Sequence, residues 1–141
     1  MVSQYFFGMG ERDMGDHEAA VDRYFEELFN EGELAVADEI LAEDVVYNGP
    51  RSFSPQNLRS REQFKAFVKR YHAAFPDINY HMERVEGNGN TYTVKWTAKG
   101  THTEPLFGIE ETGKSFSDEG LNLFTFQDGK IAEIWSYWDT L

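Results

Sequence analysis

Apolar residues recur with a helical period in the first half of the chain and with a strand period in the second. Val21, Tyr24, Phe25, Leu28 and Phe29 fall at i, i+3, i+4, i+7 and i+8, which predicts an amphipathic helix. Asp16 caps it, and Asn30 and Gly32 end it. Leu34, Ala37, Ile40 and Leu41 mark a shorter second helix. Asp44-Val45-Val46-Tyr47-Asn48 reads as a short strand stopped by Gly49-Pro50, and residues 49–59 as a loop. Ser60 stands three residues before Gln63, a capping-box pattern. It opens a third helix with Phe64, Phe67, Val68, Tyr71 and Phe75 on one face, closed by Pro76.

From residue 78 the period is 2. Ile78, Tyr80 and Met82 begin a strand, and Gly87-Asn88-Gly89-Asn90 turns it back. Tyr92, Val94, Trp96, Ala98, Gly100 and His102 then alternate with threonines and lysines, so His102 falls on the apolar face. Residues 116–126 form the next strand, Asp128-Gly129 the next turn, and Lys130 to about Asp139 the last strand. Helices come first and a long antiparallel meander follows, so the class is α+β. The expected architecture is a cone-shaped curved antiparallel sheet with three N-terminal helices packed over its concave face and a cavity between them. Residues 1–15 read as a flexible tail, and residues 16–141 as one domain.

Charge and composition narrow the partners. Asp plus Glu is 25 against 13 for Lys plus Arg, giving −12, a field that repels phosphate backbones and anionic lipid. Nucleic acid and membrane surfaces are therefore not expected partners. Zero cysteines exclude a disulfide scaffold, a thiolate metal site and a thiol nucleophile. No stretch approaches the ~18 apolar residues of a membrane span, and Tyr5-Phe6-Phe7 is too short for a signal-peptide core, so the default location is cytoplasmic. The four histidines, His17, His72, His81 and His102, lack metal-ligand spacing, and no nucleotide-loop or nucleophile-elbow motif is present. Neither a metal nor an organic cofactor is expected.

What remains is a set of polar residues among apolar ones. His102 shares a strand face with Trp96 and Ala98. On the next strand Asp118, Gly120 and Asn122 alternate in register with Phe116, Phe124 and Phe126. On the last strand both faces carry apolar residues: Ala132, Ile134, Ser136 and Trp138 on one, Ile131, Trp135 and Tyr137 on the other. One face lines the interior, and the other suits a second subunit. A bulge would exchange them. His102 fits a structural histidine, a pocket residue or a base. Asp118 fits an edge position or a cavity carboxylate. Asp139 fits a strand end or a buried carboxylate whose pKa aromatic neighbours raise. Tyr47, Trp96, Phe124 and Trp138, beside Phe25 and Phe67, are the expected aromatic wall, with core packing as the plain alternative.

The run Trp96-Thr97-Ala98-Lys99-Gly100-Thr101-His102-Thr103, then Phe107-Gly108-Ile109 and Thr112-Gly113-Lys114, resembles the SnoaL-like polyketide cyclase family. So does Phe126-Gln127-Asp128-Gly129-Lys130-Ile131, continuing to Trp138-Asp139. The resemblance implies the nuclear transport factor 2-like fold, a homodimer and a deep hydrophobic pocket. It implies cofactor-free ring closure by intramolecular aldol condensation, with an aspartate on the last strand as acid/base. That aspartate's position is Ser136 here. The assisting glutamine and histidine fall at Gly120 and Asn122, and an asparagine on the third helix falls at Phe67. A hydroxyl cannot be a base at neutral pH, so catalysis would need Asp139 or Asp118, with His102 and Asn122 as donors. The expected function is acid/base chemistry on a small hydrophobic carbonyl compound. A non-catalytic binding protein of the same fold, or a related isomerase or hydrolase, is the alternative.

Overall fold

The helical stripe around Tyr24 forms a helix whose last turns are wide. In the computed structural model, which describes residues 15–49, 57–105, 110 and 112–138, helix α1 is α-helical over 15–23 and π-helical over Tyr24–Phe29. The Asn30 N–H donates to the Phe25 carbonyl five residues back, at 2.9 Å. Such widened turns recur at functional sites. Here the turn faces Tyr24, Phe25, Leu28 and Phe29 inward, all buried. Helix α2 (Ala35–Ile40) runs directly into strand β1 (Leu41–Asn48), which starts three residues before the predicted strand. A two-residue strand, β2 (Asn57–Leu58), lies within the predicted loop. It pairs Leu58 with Tyr47, a link too short to give a periodic signal. Helix α3 (Arg61–Ala74) starts at the predicted cap. The Ser60 hydroxyl accepts from the Gln63 N–H at 3.1 Å, and Gln63 Oε1 accepts from the Arg59 N–H at 2.8 Å.

The meander consists of β3 (Asn79–Asn88), β4 (Thr91–Thr101), β5 (Ser115–Gln127) and β6 (Lys130–Trp138). Its turns use residues that accept positive φ: Gly89 at 67°, and the pair Asp128 at 54° and Gly129 at 80°. The sheet order is β2-β1-β6-β5-β4-β3. Every pairing is antiparallel except β1 with β6, so the sheet is mixed rather than wholly antiparallel. Parallel neighbours need a long crossover, and α3 with the meander supplies one.

Two bulges set which side chains face the helices. One between Met82 and Arg84 passes the inward role from Tyr80 and Met82 to Val85. The other, opposite Thr125 and Phe126, takes up Ala132. Ile131 therefore points inward before it, and Ile134, Ser136 and Trp138 after it. This answers which face of the last strand is interior: Glu133, Trp135 and Tyr137 face out.

Asn30 joins α1 to the edge strand. Its Nδ2 donates to the Tyr80 carbonyl at 3.1 Å, and its Oδ1 accepts from the Tyr80 N–H at 2.6 Å. The amide thus caps backbone groups that edge strand β3 would otherwise leave unpaired. His72 Nε2 lies 3.3 Å from the Asn30 carbonyl, tying α3 to the same point. Asn30→Ala should lower unfolding stability by about 1–3 kcal/mol, since it strands two backbone groups. Urea denaturation checks this; an unchanged midpoint would show that the clasp contributes nothing.

Candidate functional site

Aromatic side chains from both layers meet at one point beneath the helices. Tyr24, Phe25 and Phe29 come from α1, and Phe67 and Tyr71 from α3. The sheet supplies Tyr47 from β1, Tyr80 from β3, Trp96 from β4, Asn122 from β5, and Ser136 and Trp138 from β6. They enclose a cavity of about 10 Å³, at the lower limit for one water molecule. The rings pack edge-on or tilted: Tyr47 on Phe67 at 5.3 Å, Tyr80 on Trp96 at 5.0 Å and Trp96 on Trp138 at 6.1 Å.

A polar network runs through this lining. Asn122 and Ser136 are directly opposite each other on β5 and β6, and both are buried. Ser136 Oγ is 2.7 Å from Asn122 Oδ1, and Trp96 Nε1 donates to the same oxygen at 3.1 Å. Trp96 reaches that position because residue 120 is glycine. A Cβ there would stand 2.1 Å from the Trp96 ring. The Tyr71 and Tyr80 hydroxyls are 3.0 Å apart.

Burial raises the pKa of all four cavity tyrosines. Tyr71 is pushed up to about 12, with the hydroxyl of Tyr80 opposing the rise and the charge of Asp118 adding to it. Tyr24 and Tyr80 are driven well above the ordinary phenol range, and Tyr47 is raised as well. Asn122 offsets part of the rise at Tyr24, and Ser136 part of that at Tyr47, each as a hydrogen-bond partner. The tyrosines are thus neutral donors throughout the physiological range. Among the described residues, Asp118 is the carboxylate whose charge acts on a cavity hydroxyl. It is half-buried on β5, opposite Ala98 and two residues before Gly120.

The other predicted residues divide clearly. Trp96, Asn122, Ser136, Trp138, Tyr47 and Phe67 line the cavity, as does Phe25. Phe124 is fully buried against Tyr24 and Phe25 but is core rather than lining. His102 is also not in the lining. It lies just past β4, where its N–H bonds the Lys114 carbonyl at 3.1 Å and its carbonyl accepts from Gly113 at 2.8 Å. Its ring packs on Phe75 at 5.1 Å, and Phe75 in turn on Tyr71, so one aromatic ring separates it from the site. Its buried Nε2 has no partner among the described residues. Asp139 lies outside the described residues. Among the described residues no cluster of three or more His, Asp or Glu side chains could hold a metal ion. No helix there is long and apolar enough to cross a membrane.

Tyr24, Phe29, Tyr71 and Tyr80 complete the lining and were legible only as core positions. The missed signal was three hydroxyls on apolar faces, since a buried phenol needs a partner.

Comparison with known proteins places this arrangement. The family model for SnoaL-like polyketide cyclases matches residues 19–141. The chain belongs to the SnoaL-like polyketide cyclase family. A curated relative, the aklanonic acid methyl ester cyclase DauD of Streptomyces sp. (strain C5), is 31% identical over 109 residues. That match covers 76% of this chain and 66% of DauD. Among solved structures, a SnoaL-like protein from Jannaschia sp. CCS1 gives a TM-score of 0.80 at 24% identity, covering 89% of this chain and 86% of that one. A nuclear transport factor 2-like protein from Burkholderia pseudomallei K96243 gives 0.74 at 17% identity, over 88% and 91%. This SnoaL-like chain therefore has the nuclear transport factor 2-like fold, with an asparagine–serine pair at its centre.

Two outcomes follow for this SnoaL-like site. Gly120→Ala forces a methyl group into the Trp96 ring and should cost about 1–3 kcal/mol of stability, measurable by urea denaturation; full retention would mean that Trp96 is free to move. The raised tyrosine pKa values make the folded state bind more protons than the unfolded chain above pH ~10. Stability should be intact below pH ~10 and fall as pH rises through about 12, the value at Tyr71. Phenolate absorbance during alkaline titration should therefore rise for the four cavity tyrosines together with unfolding. Their ionisation near pH ~10 in a folded protein would contradict the burial.

Proposed function

We propose that the protein is a cofactor-free acid/base enzyme acting on a small hydrophobic carbonyl compound, closing a ring as its cyclase relatives do. The observation that carries this is the gathering of neutral donors inside an aromatic lining, with Asp118 outside that lining on the same strand as Asn122 and its charge acting on Tyr71. Ser136 cannot take a proton from carbon at neutral pH, so Asp118 is the base in this scheme. Its carboxylate removes a proton from the carbon next to a carbonyl. Hydroxyl donors hold the enolate oxygen that forms. The enolate carbon attacks a second carbonyl of the same molecule, and the proton on Asp118 returns to the new alkoxide, directly or through Tyr71. Atoms balance without a cofactor, and the product is an isomer of the substrate. The cavity volume is about 10 Å³, while ligand pockets run to ~300 Å³ or more, so entry requires the aromatic lining to part.

A second reading, a non-catalytic binder of such compounds, is favoured by one specific feature: serine stands at the cyclases' aspartate position. Aklanonic acid methyl ester, the compound in DauD's name, separates the two. Catalysis predicts an isomeric product by chromatography and mass spectrometry, with Asp118→Asn lowering kcat about 100-fold or more. Binding of the ester with no product, for wild type and variant alike, would establish the binder.

The outer face of β5 and β6 supports a homodimer under the same proposal. Leu121 is paired with Tyr137, and Trp135 and Tyr137 stack at 6.4 Å with all three side chains exposed. An uncovered aromatic pair on an outer sheet face suits a second copy of the same surface. Trp135→Glu should halve the mass seen by light scattering; an unchanged mass would place the contact elsewhere.

A further inference from the structure

The Tyr71 and Tyr80 side chains come from different layers, α3 and β3, and both line the cavity. Their hydroxyl oxygens are 3.0 Å apart, a distance that holds one proton between them. Whichever oxygen accepts that proton keeps its own, and its own proton must point away from the partner. Among the described residues neither hydroxyl has another hydrogen-bond partner. The pair therefore carries one donor in excess, and accepting from the other hydroxyl makes that donor stronger. The Trp96 indole and the Ser136 hydroxyl differ, since both direct their protons at Asn122 Oδ1.

Register places this pair across from the carboxylate. Tyr80 is directly opposite Ala98, and Ala98 directly opposite Asp118. The three share one face of adjacent strands, with roughly 10 Å between the outer two backbones and only a methyl group between them. This is also the more accessible end of the sheet's inner face. Along β5, Phe116, Asp118 and Gly120 are half-buried, whereas Asn122, Phe124 and Phe126 are buried. Tyr71 and Tyr80 are half-buried too. We infer that the Tyr71–Tyr80 hydroxyl pair holds the oxygen of the carbonyl compound, with Asp118 facing it from across Ala98. The pair is fixed before any charge develops on that oxygen, as such a donor must be. Asn30 bonds both backbone groups of Tyr80, at 2.6 and 3.1 Å, and its carbonyl lies 3.3 Å from the ring of His72, the neighbour of Tyr71. Phe29 packs on both tyrosine rings, at 5.7 and 5.5 Å.

This assignment rests on the acid/base reading of the site, but its first test needs no turnover. Replacing both hydroxyls together, Tyr71→Phe with Tyr80→Phe, leaves no unpaired partner, so the fold should tolerate it. The probe is acetophenone, isotope-labelled at its carbonyl carbon and followed by difference infrared spectroscopy. Bound to the wild type, its carbonyl band should lie below the position in hexane, because the oxygen accepts a hydrogen bond. In the double variant the band should return to the hexane position. A bound band that is the same in both proteins would overturn the inference, as would the absence of a saturable bound band in the wild type. With aklanonic acid methyl ester, the double variant should lower kcat about 100-fold, the scale of losing one such donor, with KM moved far less. Product from the wild type with an unaltered kcat in the double variant would overturn the assignment and leave the acid/base reading standing. Absence of product from the wild type would instead count against that reading, and the ketone band would still decide the donor pair.

Discussion

A single buried oxygen organises the interior. Asn122 Oδ1 accepts from an indole on β4 and from a hydroxyl on β6, so it pins the two strands that flank its own. A buried amide left without partners would cost several kcal/mol. With its oxygen paired to Trp96 and Ser136 it fixes the arrangement of the surrounding rings instead. Trp96 can take its place only because Gly120 leaves its ring room, and Trp138 and Tyr80 pack on that ring. The amide thus holds one wall of the cavity together, while burial among the surrounding rings keeps its tyrosines neutral.

The chain also departs, at the centre of its site, from the pattern that the resemblance to the cyclases implies. Its asparagine and serine face each other where the resemblance to the cyclases implies a histidine and an aspartate. The exchange removes both ionisable groups and keeps a hydrogen bond between the two strands. The nearby charge is that of Asp118, two same-face positions along β5 from Asn122 and beyond Gly120, which acts on Tyr71. A neutral network of this kind needs no counter-ion in a protein of net charge −12, where a further buried carboxylate would be costly.

Most of the fold was legible in the sequence because two periods of different length do not overlap. The Tyr24 stripe, the Ser60–Gln63 cap and the Asp128-Gly129 turn each specify a local geometry, and each element lies where its signal stood. The parallel β1–β6 pairing was not legible, since it depends on the path of the whole meander rather than on any local pattern. Nor was the Ala132 bulge, which decides the interior face of β6 and is a matter of cross-strand register. For the site, alternation alone brought Trp96, Asn122, Ser136 and Trp138 to one wall. Tyr24, Tyr71 and Tyr80 read as core because their hydroxyls leave no mark on hydrophobic periodicity. His102 shared the strand parity of the site residues but lies beyond the strand end, one ring away from the cavity.

Proton abstraction from carbon is the step on which the account depends, and it can be observed before any ring closes. Aklanonic acid methyl ester incubated with the protein in deuterium oxide should gain deuterium beside its carbonyl faster than in buffer. Mass spectrometry should show that gain reduced to the buffer rate in Asp118→Asn. Exchange at the buffer rate with the wild-type protein would contradict the account and leave a binding protein in its place.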